Sequence, residues 1–503
     1  MRRTTGSLFT LIVVGLLAAT GQANDKVALL IDSGIYPALH TRLEQYEADV
    51  ESQFPVDLVI CNDQPFQTMT PAQVRSYITD LCYDDGVDGV ILAGLIPYAL
   101  WKNYAPGAND RGINSFYYED LDGTFTDTNG DGYDDYHTWG SHVGPEVWVC
   151  WMRPPSNNVV AGLQGFLDKT HAYYTGLVFF NHRALAAAHN DYDGNLYGSF
   201  LMVPRLQEIY GSDVDVDGAG ADPVVASEYV SALQTNFYEI CDPMGHASSS
   251  LQQWDSGYVY GTTIKGLTGG AVMTFIYGCS SAAFNENSTA NIAMMYHMST
   301  TNIGQAASGT SWSYGTEGKW YIYDVLKLGG YLGQGWMNLE TTKNTPAYMK
   351  SRYGDWLDTN QHLWGDTLLG NPFVYALYEP PDPVPPELTI ARLSATVYRL
   401  TWNKSGNYDL EFSATPDFAS PIVVDVTDLT QYDYAPATSK GFFRLRAKPG
   451  HAGQSVPPLA PAQSVRAPQG NVYERPSVRK AGNVAPLSGL AHLLRPASPK
   501  QPR

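Results

Sequence analysis

From Lys26 onward the chain alternates short apolar strands with amphipathic helical stretches. That rhythm restricts it to a mainly parallel sheet covered by helices on both faces. Val27 to Ile31 reads as a strand, Ala38 to Ser52 as a helix, Val56 to Cys61 as a strand, and Pro71 to Cys82 as a helix with Pro in its first turn. Val87 to Ala93 is a buried strand. A loop-rich stretch from Trp101 to Trp139 follows, and the pattern resumes with a strand at Glu146 to Met152 and a helix at Val159 to Tyr174. A second series has strands at Arg183 to Ala188, Asp213 to Asp217, Tyr238 to Cys241 and Ala271 to Tyr277, with helices at Gly198 to Ile209 and Val224 to Asn236. The expected architecture is an α/β protein with two successive subdomains, residues 24–178 and 179–378.

At Glu379 the composition changes to EPPDPVPP, a stiff linker over 379–386. Beyond it, residues 387–448 hold short alternating segments such as Val397 to Trp402, Tyr408 to Phe412 and Gly441 to Arg446, the pattern of a small all-β sandwich. It is similar to a fibronectin type III or immunoglobulin-like module. The tail, 449–503, carries ten prolines and is expected to be disordered.

Arg2 and Arg3 precede an apolar run from Leu8 to Ala19, and small residues follow at Gly21 to Ala23. This reads as a signal peptide over 1–23, so a secreted protein, extracellular or periplasmic, is expected. No later run reaches the roughly 18 apolar residues of a membrane span, so no stable membrane insertion is expected. The net charge of −19 repels phosphate backbones and excludes nucleic acid as a natural partner. The tail runs the other way, with seven Lys/Arg against one Glu. It offers contact with an anionic cell surface or glycan, with a solvated linker as the simpler reading. Five cysteines are too few for a disulfide-built scaffold.

The chain has no G-x-S-x-G elbow, no H-E-x-x-H and no P-loop, which removes the commonest serine hydrolase, zincin and nucleotide readings. Cys279 remains, in TFIYGCSSAAF at the carboxyl end of the run Ala271 to Tyr277. His246, in DPMGHASSS, also lies just past a strand. In an open parallel sheet ligands bind at the carboxyl ends of strands. A thiolate nucleophile needs a neighbouring imidazole to favour its charged form or to protonate a leaving amine.

These two segments resemble the paired His and Cys motifs of the gingipain family of clan CD cysteine peptidases. The likeness extends to HVGPEVWVCWMRPP at 142–155, STTNIGQAASGTSWSYG at 299–315 and HLWGDTLLGNPFVYAL at 362–377, in the same order. The resemblance implies a caspase-like α/β sandwich in two subdomains acting as a cysteine endopeptidase on protein or peptide substrates. It makes Cys279 the nucleophile and His246 the acid/base, with backbone N–H groups of Cys279 and Ala247 receiving the oxyanion. It also implies that Glu146 orients the histidine and that Trp254 and Asp255 build part of the substrate pocket. Ala247 departs from the family's Gly, and a non-glycine residue disfavours φ > 0 there. A catalytically inactive peptidase fold that binds surfaces or glycans is the alternative.

Asp127, Asn129, Asp131 and Asp135 form a D-x-N-x-D-G-x-x-D run, the oxygen spacing of a calcium loop, with Gly132 at its turn and the carbonyl of Tyr133 as a further ligand. Thr138 stands where such a loop ends in a bidentate Glu. A structural Ca2+ is expected, with Asp120 or Asp122 completing its ligands. Asp213, Asp215 and Asp217 alternate as on an edge strand facing water.

Overall fold

The computed structural model describes residues 24–102, 111–198, 201–218, 223–308, 319–343 and 364–377, with strands between 388 and 447. The expected signal peptide (1–23), linker (379–386) and tail (449–503) lie outside the described residues. The strands that position the site are β1 (Asp25–Ile31), β2 (Val56–Cys61), β3 (Gly89–Ala93), β4 (Trp148–Met152), β5 (Asn181–Ala188), β6 (Val214–Asp217) and β7 (Tyr238–Met244). They continue with β8 (His246–Ala247), β9 (Leu251–Gln253), β10 (Tyr258–Tyr260), β11 (Ala271–Ile276), β12 (Gly304–Ser308) and β13 (Asp366–Gly370).

Ten of these strands make one sheet in the order β6-β5-β7-β11-β12-β13-β4-β3-β1-β2. Every neighbouring pair is parallel except β12 and β13, which pair antiparallel. The two expected halves therefore share one sheet. Residues from the far end of the second half, β13, cross back to pair with β4 of the first. Periodicity alone located neither β12 nor β13. β8, β9 and β10 form a separate three-stranded sheet.

Both faces of the large sheet are buried, which is why its strands read as unbroken apolar runs. Along β1, Val27, Leu29 and Ile31 pack into one core, while Ala28 and Leu30 pack into the other. Helices α1 (His40–Gln53) and α3 (Val159–Tyr174) cover the first face through Leu43, Tyr46, Val50, Leu163, Phe166 and Leu167. α2 (Pro71–Asp85) covers the second through Val74 and Ile78. The start of α2 follows from local sequence: Thr70 and Gln73 form a reciprocal capping box around Pro71, and Gly86 ends the helix at φ +70°. The helix expected over Gly198 to Ile209 is instead two pieces, Gly194–Tyr197 and Met202–Tyr210, with Leu201 at φ +50° between them. Asp215 on the edge strand β6 does not simply face water, because it accepts from Tyr238 Oη (2.6 Å) and pairs with Arg183.

The C-terminal strands lie in two antiparallel three-stranded sheets, one from Leu388–Arg392, Tyr398–Trp402 and Gln431–Tyr434, the other from Tyr408–Ser413, Ile422–Asp425 and Phe442–Ala447.

Glu119 is a buried acid that makes stability depend on pH. It accepts from the Trp336 indole N–H (2.9 Å) and the Val149 N–H (3.2 Å), and burial pushes its pKa up to about 8. The folded state keeps this proton to about pH 8, whereas the unfolded chain releases it near 4.5. Its stabilising contribution is therefore complete below pH 4.5 and is lost as pH rises to 8, a change on the order of 5 kcal/mol. Glu119→Gln keeps a neutral acceptor, so its melting temperature should fall less between pH 5 and 8 than that of wild type. Parallel melting curves for the two proteins across that range would refute the assignment.

Candidate active site

β5, β7 and β11 are neighbours and run in the same direction, so their carboxyl ends emerge side by side. The chain leaves β5 through His189 to Tyr192, β7 through Gly245 and His246, and β11 through Tyr277 to Cys279. Backbone bonds lace these exits together. The N–H of His189 donates to Met244 O (2.9 Å), that of Gly245 to Tyr277 O (3.0 Å), and that of Tyr277 to Pro243 O (2.9 Å).

The approach of the Cys279 loop to the His246 loop is close. A Cβ on Gly278 would stand 2.7 Å from the Ala247 Cβ and 3.2 Å from the Gly245 carbonyl oxygen. Only glycine fits there without displacing the backbone that carries His246. Immediately after Cys279 the chain turns sharply, with Ser280 at φ +53° and the Ser281 N–H donating to Gly278 O (3.3 Å). A non-glycine residue in the left-handed region is a local strain of the kind that collects at functional sites.

The imidazole of His246 is held from both ends. Nε2 lies 2.9 Å from Asp191 Oδ2 and Nδ1 lies 3.3 Å from the Tyr192 hydroxyl. The bond to His246 holds the Asp191 carboxyl below its ordinary pKa, so Asp191 is an anionic acceptor. Nε2 then carries the hydrogen, and the lone pair belongs to Nδ1. Burial, with the nearby Cys279 and Asp191, pushes the Tyr192 hydroxyl up to about 12, so it stays a neutral phenol. His189 stacks edge-on against His246 at 5.0 Å, its Nδ1 accepts from the Asp191 N–H (3.1 Å), and its Nε2 faces Asp255 Oδ1 (3.4 Å). Asp191, Tyr192 and His189 escaped the reading of the sequence because HNDYDG has the composition of an ordinary turn.

Three of the expected site residues have other work. Glu146 does not orient His246. It sits at the start of β4, four strand spacings or about 19 Å along the sheet from β7, and its Oε2 accepts from the Leu121 N–H (2.6 Å). The strand between β11 and β4 that reverses direction is what puts the amino end of β4 on this edge at all. Trp254 is not a pocket wall: it is 1 % exposed and packs on Tyr229 with ring centroids 4.7 Å apart. Asp255 is likewise turned inward, accepting from the N–H groups of Val224 (2.9 Å) and Asn190 (3.1 Å). Ala247 takes no positive φ; it lies in β8, paired with Gln252, so the departure from glycine costs no backbone strain.

The 127–135 loop is a chain of side-chain-to-backbone turns. Asp127 accepts from the N–H groups of Asn129, Gly130, Asp131 and Gly132, Asn129 Oδ1 from that of Asp131, and Asp131 Oδ1 from that of Tyr133. Gly130 and Gly132 take φ of +76° and +88°. Asp131 also pairs with Lys102 (3.2 Å), and Asp135 accepts from Thr128 Oγ1 (2.6 Å). The carboxylates of Asp127, Asp131 and Asp135 do not converge on a common point.

No family model matches this chain, and no curated protein matches it in sequence. Solved structures do match. A protease aligns with 84 % of this chain and 97 % of its own at 15 % identity and a TM-score of 0.50. The Arg-specific cysteine proteinase gingipain R aligns over 85 % and 96 % at 12 % identity and the same TM-score of 0.50. The fold is that of the gingipains.

None of the five cysteines is in a disulfide. Burial raises the thiol pKa of Cys61, Cys82, Cys150 and Cys241, the last to about 12. Reactivity follows thiolate fraction and access. Iodoacetamide should therefore modify Cys279 about 10-fold faster than any of the other four, as read by peptide mass spectrometry over time. Equal or faster labelling of Cys82 would contradict this.

Proposed function

We propose that this chain is a secreted cysteine endopeptidase in which Cys279 attacks the peptide carbonyl and His246 moves the proton. The observation that carries the reading is the delivery of Asp191, His246 and Cys279 to one edge by three adjacent parallel strands. In the first half-reaction the Cys279 thiol gives its proton to His246 Nδ1 as the sulfur bonds to the carbonyl carbon, and the carbonyl π electrons move to oxygen. The backbone N–H groups of Cys279 and Ala247 are the proposed donors to that oxyanion, a contribution typically worth about 10²–10³ in rate. His246, protonated at Nδ1, then gives its proton to the leaving amine as the C–N bond breaks. In the second half-reaction Nδ1 takes a proton from water as that water attacks the thioester, and collapse of the adduct releases the acid and expels the sulfur, which takes the proton back from Nδ1.

Asp191 is proposed to keep Nε2 protonated, so that the lone pair stays on the nitrogen that faces the chemistry. Tyr192, bonded to that same Nδ1 in the resting site, would yield its place to substrate. Export through the 1–23 leader fits a peptidase that works outside the cytoplasm. Among the described residues no helix is long and apolar enough to cross a membrane. Contact with a cell surface or glycan through the C-terminal strands and the tail remains a proposal.

Cys279→Ala and His246→Ala should each abolish hydrolysis of a diverse peptide library, because residues acting as a unit fail together. Asp191→Asn should lower kcat by about 10–100-fold with little change in KM. Gly278→Ala should lower kcat/KM as well, since its methyl group would wedge the two loops apart. Wild-type protein that cleaves nothing in reductant and calcium, with Cys279 as inert as the buried thiols, would leave a peptidase fold serving as a binding protein.

Calcium at 127–135 belongs to the same proposal. The turn geometry and the two left-handed glycines support it, and an ion would offset the mutual repulsion of Asp127, Asp131, Asp134 and Asp135. Asp134 already feels that repulsion: burial first, then Asp127 and Asp135, bring its pKa to about 6. EDTA should lower the melting temperature and added Ca2+ restore it, and Asp127→Asn should remove the response. A melting curve indifferent to the titration would leave a self-bonded surface turn.

A further inference from the structure

At the base of the segment 119–146, which precedes β4 far along the sheet edge from Cys279, Asp122, His142 and Glu146 each bring a ligand atom within 4.8 Å of the others. The two carboxylates are largely buried, with side chains 15 % and 9 % exposed. One oxygen of each is satisfied. Glu146 Oε2 accepts from the Leu121 N–H (2.6 Å), and Asp122 Oδ2 accepts from the N–H and Oγ–H of Ser141 (2.6 Å each) and the His142 N–H (3.2 Å). The other oxygen of each, Glu146 Oε1 and Asp122 Oδ1, is buried and has no hydrogen-bond donor. A buried acceptor left without a partner is costly, and a charged one more so.

The local charge sharpens the problem. The neighbouring Asp120 is itself buried and bonded to His137 Nε2 (2.6 Å). Asp120 is thus already paired, whereas Asp122 Oδ1 and Glu146 Oε1 are left facing the exposed His142 ring.

We propose that Asp122 Oδ1, Glu146 Oε1 and the His142 imidazole form a structural site for a borderline divalent cation of the zinc class. His142 is 73 % exposed, with Nδ1 at 3.2 Å from Ser141 Oγ, 3.5 Å from Asp122 Oδ2 and 3.8 Å from Glu146 Oε1, so a ring nitrogen already stands beside the two buried carboxylates. The donor set decides the metal. Two carboxylates and one imidazole leave a fourth position for water in a tetrahedral shell, the mixture that zinc takes, whereas calcium demands six to eight oxygens. Asp122 lies at one end of the segment and His142 and Glu146 at the other, with the strands Thr124–Thr126 and Tyr136–Thr138 and the 127–135 loop between them. The ion would staple the segment closed at its neck. This site depends neither on peptidase activity nor on calcium binding at 127–135.

The test uses the full chain carrying His246→Ala, which removes the other His/Asp cluster, formed by His189, Asp191 and His246. After EDTA stripping, zinc sulfate should bind with one-to-one stoichiometry by calorimetry. It should raise the melting temperature by about 5 °C at 100-fold excess over Kd. His142→Ala, a change at an exposed side chain, should weaken zinc binding at least about 10-fold without lowering the metal-free melting temperature. Glu146→Gln should abolish the zinc response yet melt no lower than the metal-free parent, because it removes the buried charge. A plain structural carboxylate would not behave so. The proposal is overturned if zinc does not bind, if its shift survives in both variants, or if calcium produces the same shift at the same site.

Discussion

The antiparallel pairing of β12 with β13 holds the rest of the structure in place. It joins five parallel strands running one way to five running the other, and so makes one sheet of what would otherwise be two. The join is tight. Gly370, at φ +93°, ends β13 where a Cβ would stand 2.1 Å from the Ile303 carbonyl oxygen, and its own carbonyl accepts from the Cys150 thiol on β4 (3.3 Å). Asn371, the next residue, is fully buried and bonded to Tyr46 and Tyr174 from α1 and α3. Because direction reverses at this seam, the carboxyl ends of β5, β7 and β11 share an edge with the amino end of β4. Candidate chemistry and the zinc-class cluster therefore lie along one rim.

Beneath that rim the strand carrying His246 is anchored by a buried charge. Asp242, two residues before the end of β7, pairs with Lys319 and accepts from Tyr323 Oη (2.6 Å), all three nearly inaccessible to solvent. Burial raises the Asp242 pKa, and Lys319 opposes that rise. A buried pair of this kind contributes little net stability when whole, but losing one partner typically costs about 3–5 kcal/mol. Its effect is positional: it fixes β7 against the helix Trp320–Leu326, so that Gly245 and His246 leave the sheet at a defined height. Rigid delivery matters here, since misplacing a proton-transfer group by an ångström forfeits much of its rate contribution.

The strand-end placement of His246 and Cys279 was legible in the sequence because each follows an apolar block that reads as a buried strand, and strand ends in parallel sheets face the ligand side. Their partner was not. Asp191 reaches His246 from a turn 55 residues upstream, and nothing in HNDYDG sets that aspartate apart from any turn former. Trp254 misled for the opposite reason. The family resemblance implies a pocket residue there, yet the β8–β10 hairpin folds the indole back onto Tyr229. Glu146 stood at the right kind of place, a strand terminus on the correct rim, but on the wrong strand.

Local physics written into the sequence determined the layers: alternating apolar strands and helices, capped at Thr70 and stopped at Gly86, have few ways to bury both faces of a sheet. It also determined which residues end those strands. Strand order was decided only in three dimensions. Nothing local says that β13 pairs with β12 and β4, since β-pairing energy comes from partners distant in sequence and short strands such as Asp366–Gly370 carry little signal of their own. Strand order in turn selected the carboxylate that meets His246, turned Trp254 and Asp255 inward, and left two unsatisfied buried oxygens beside His142.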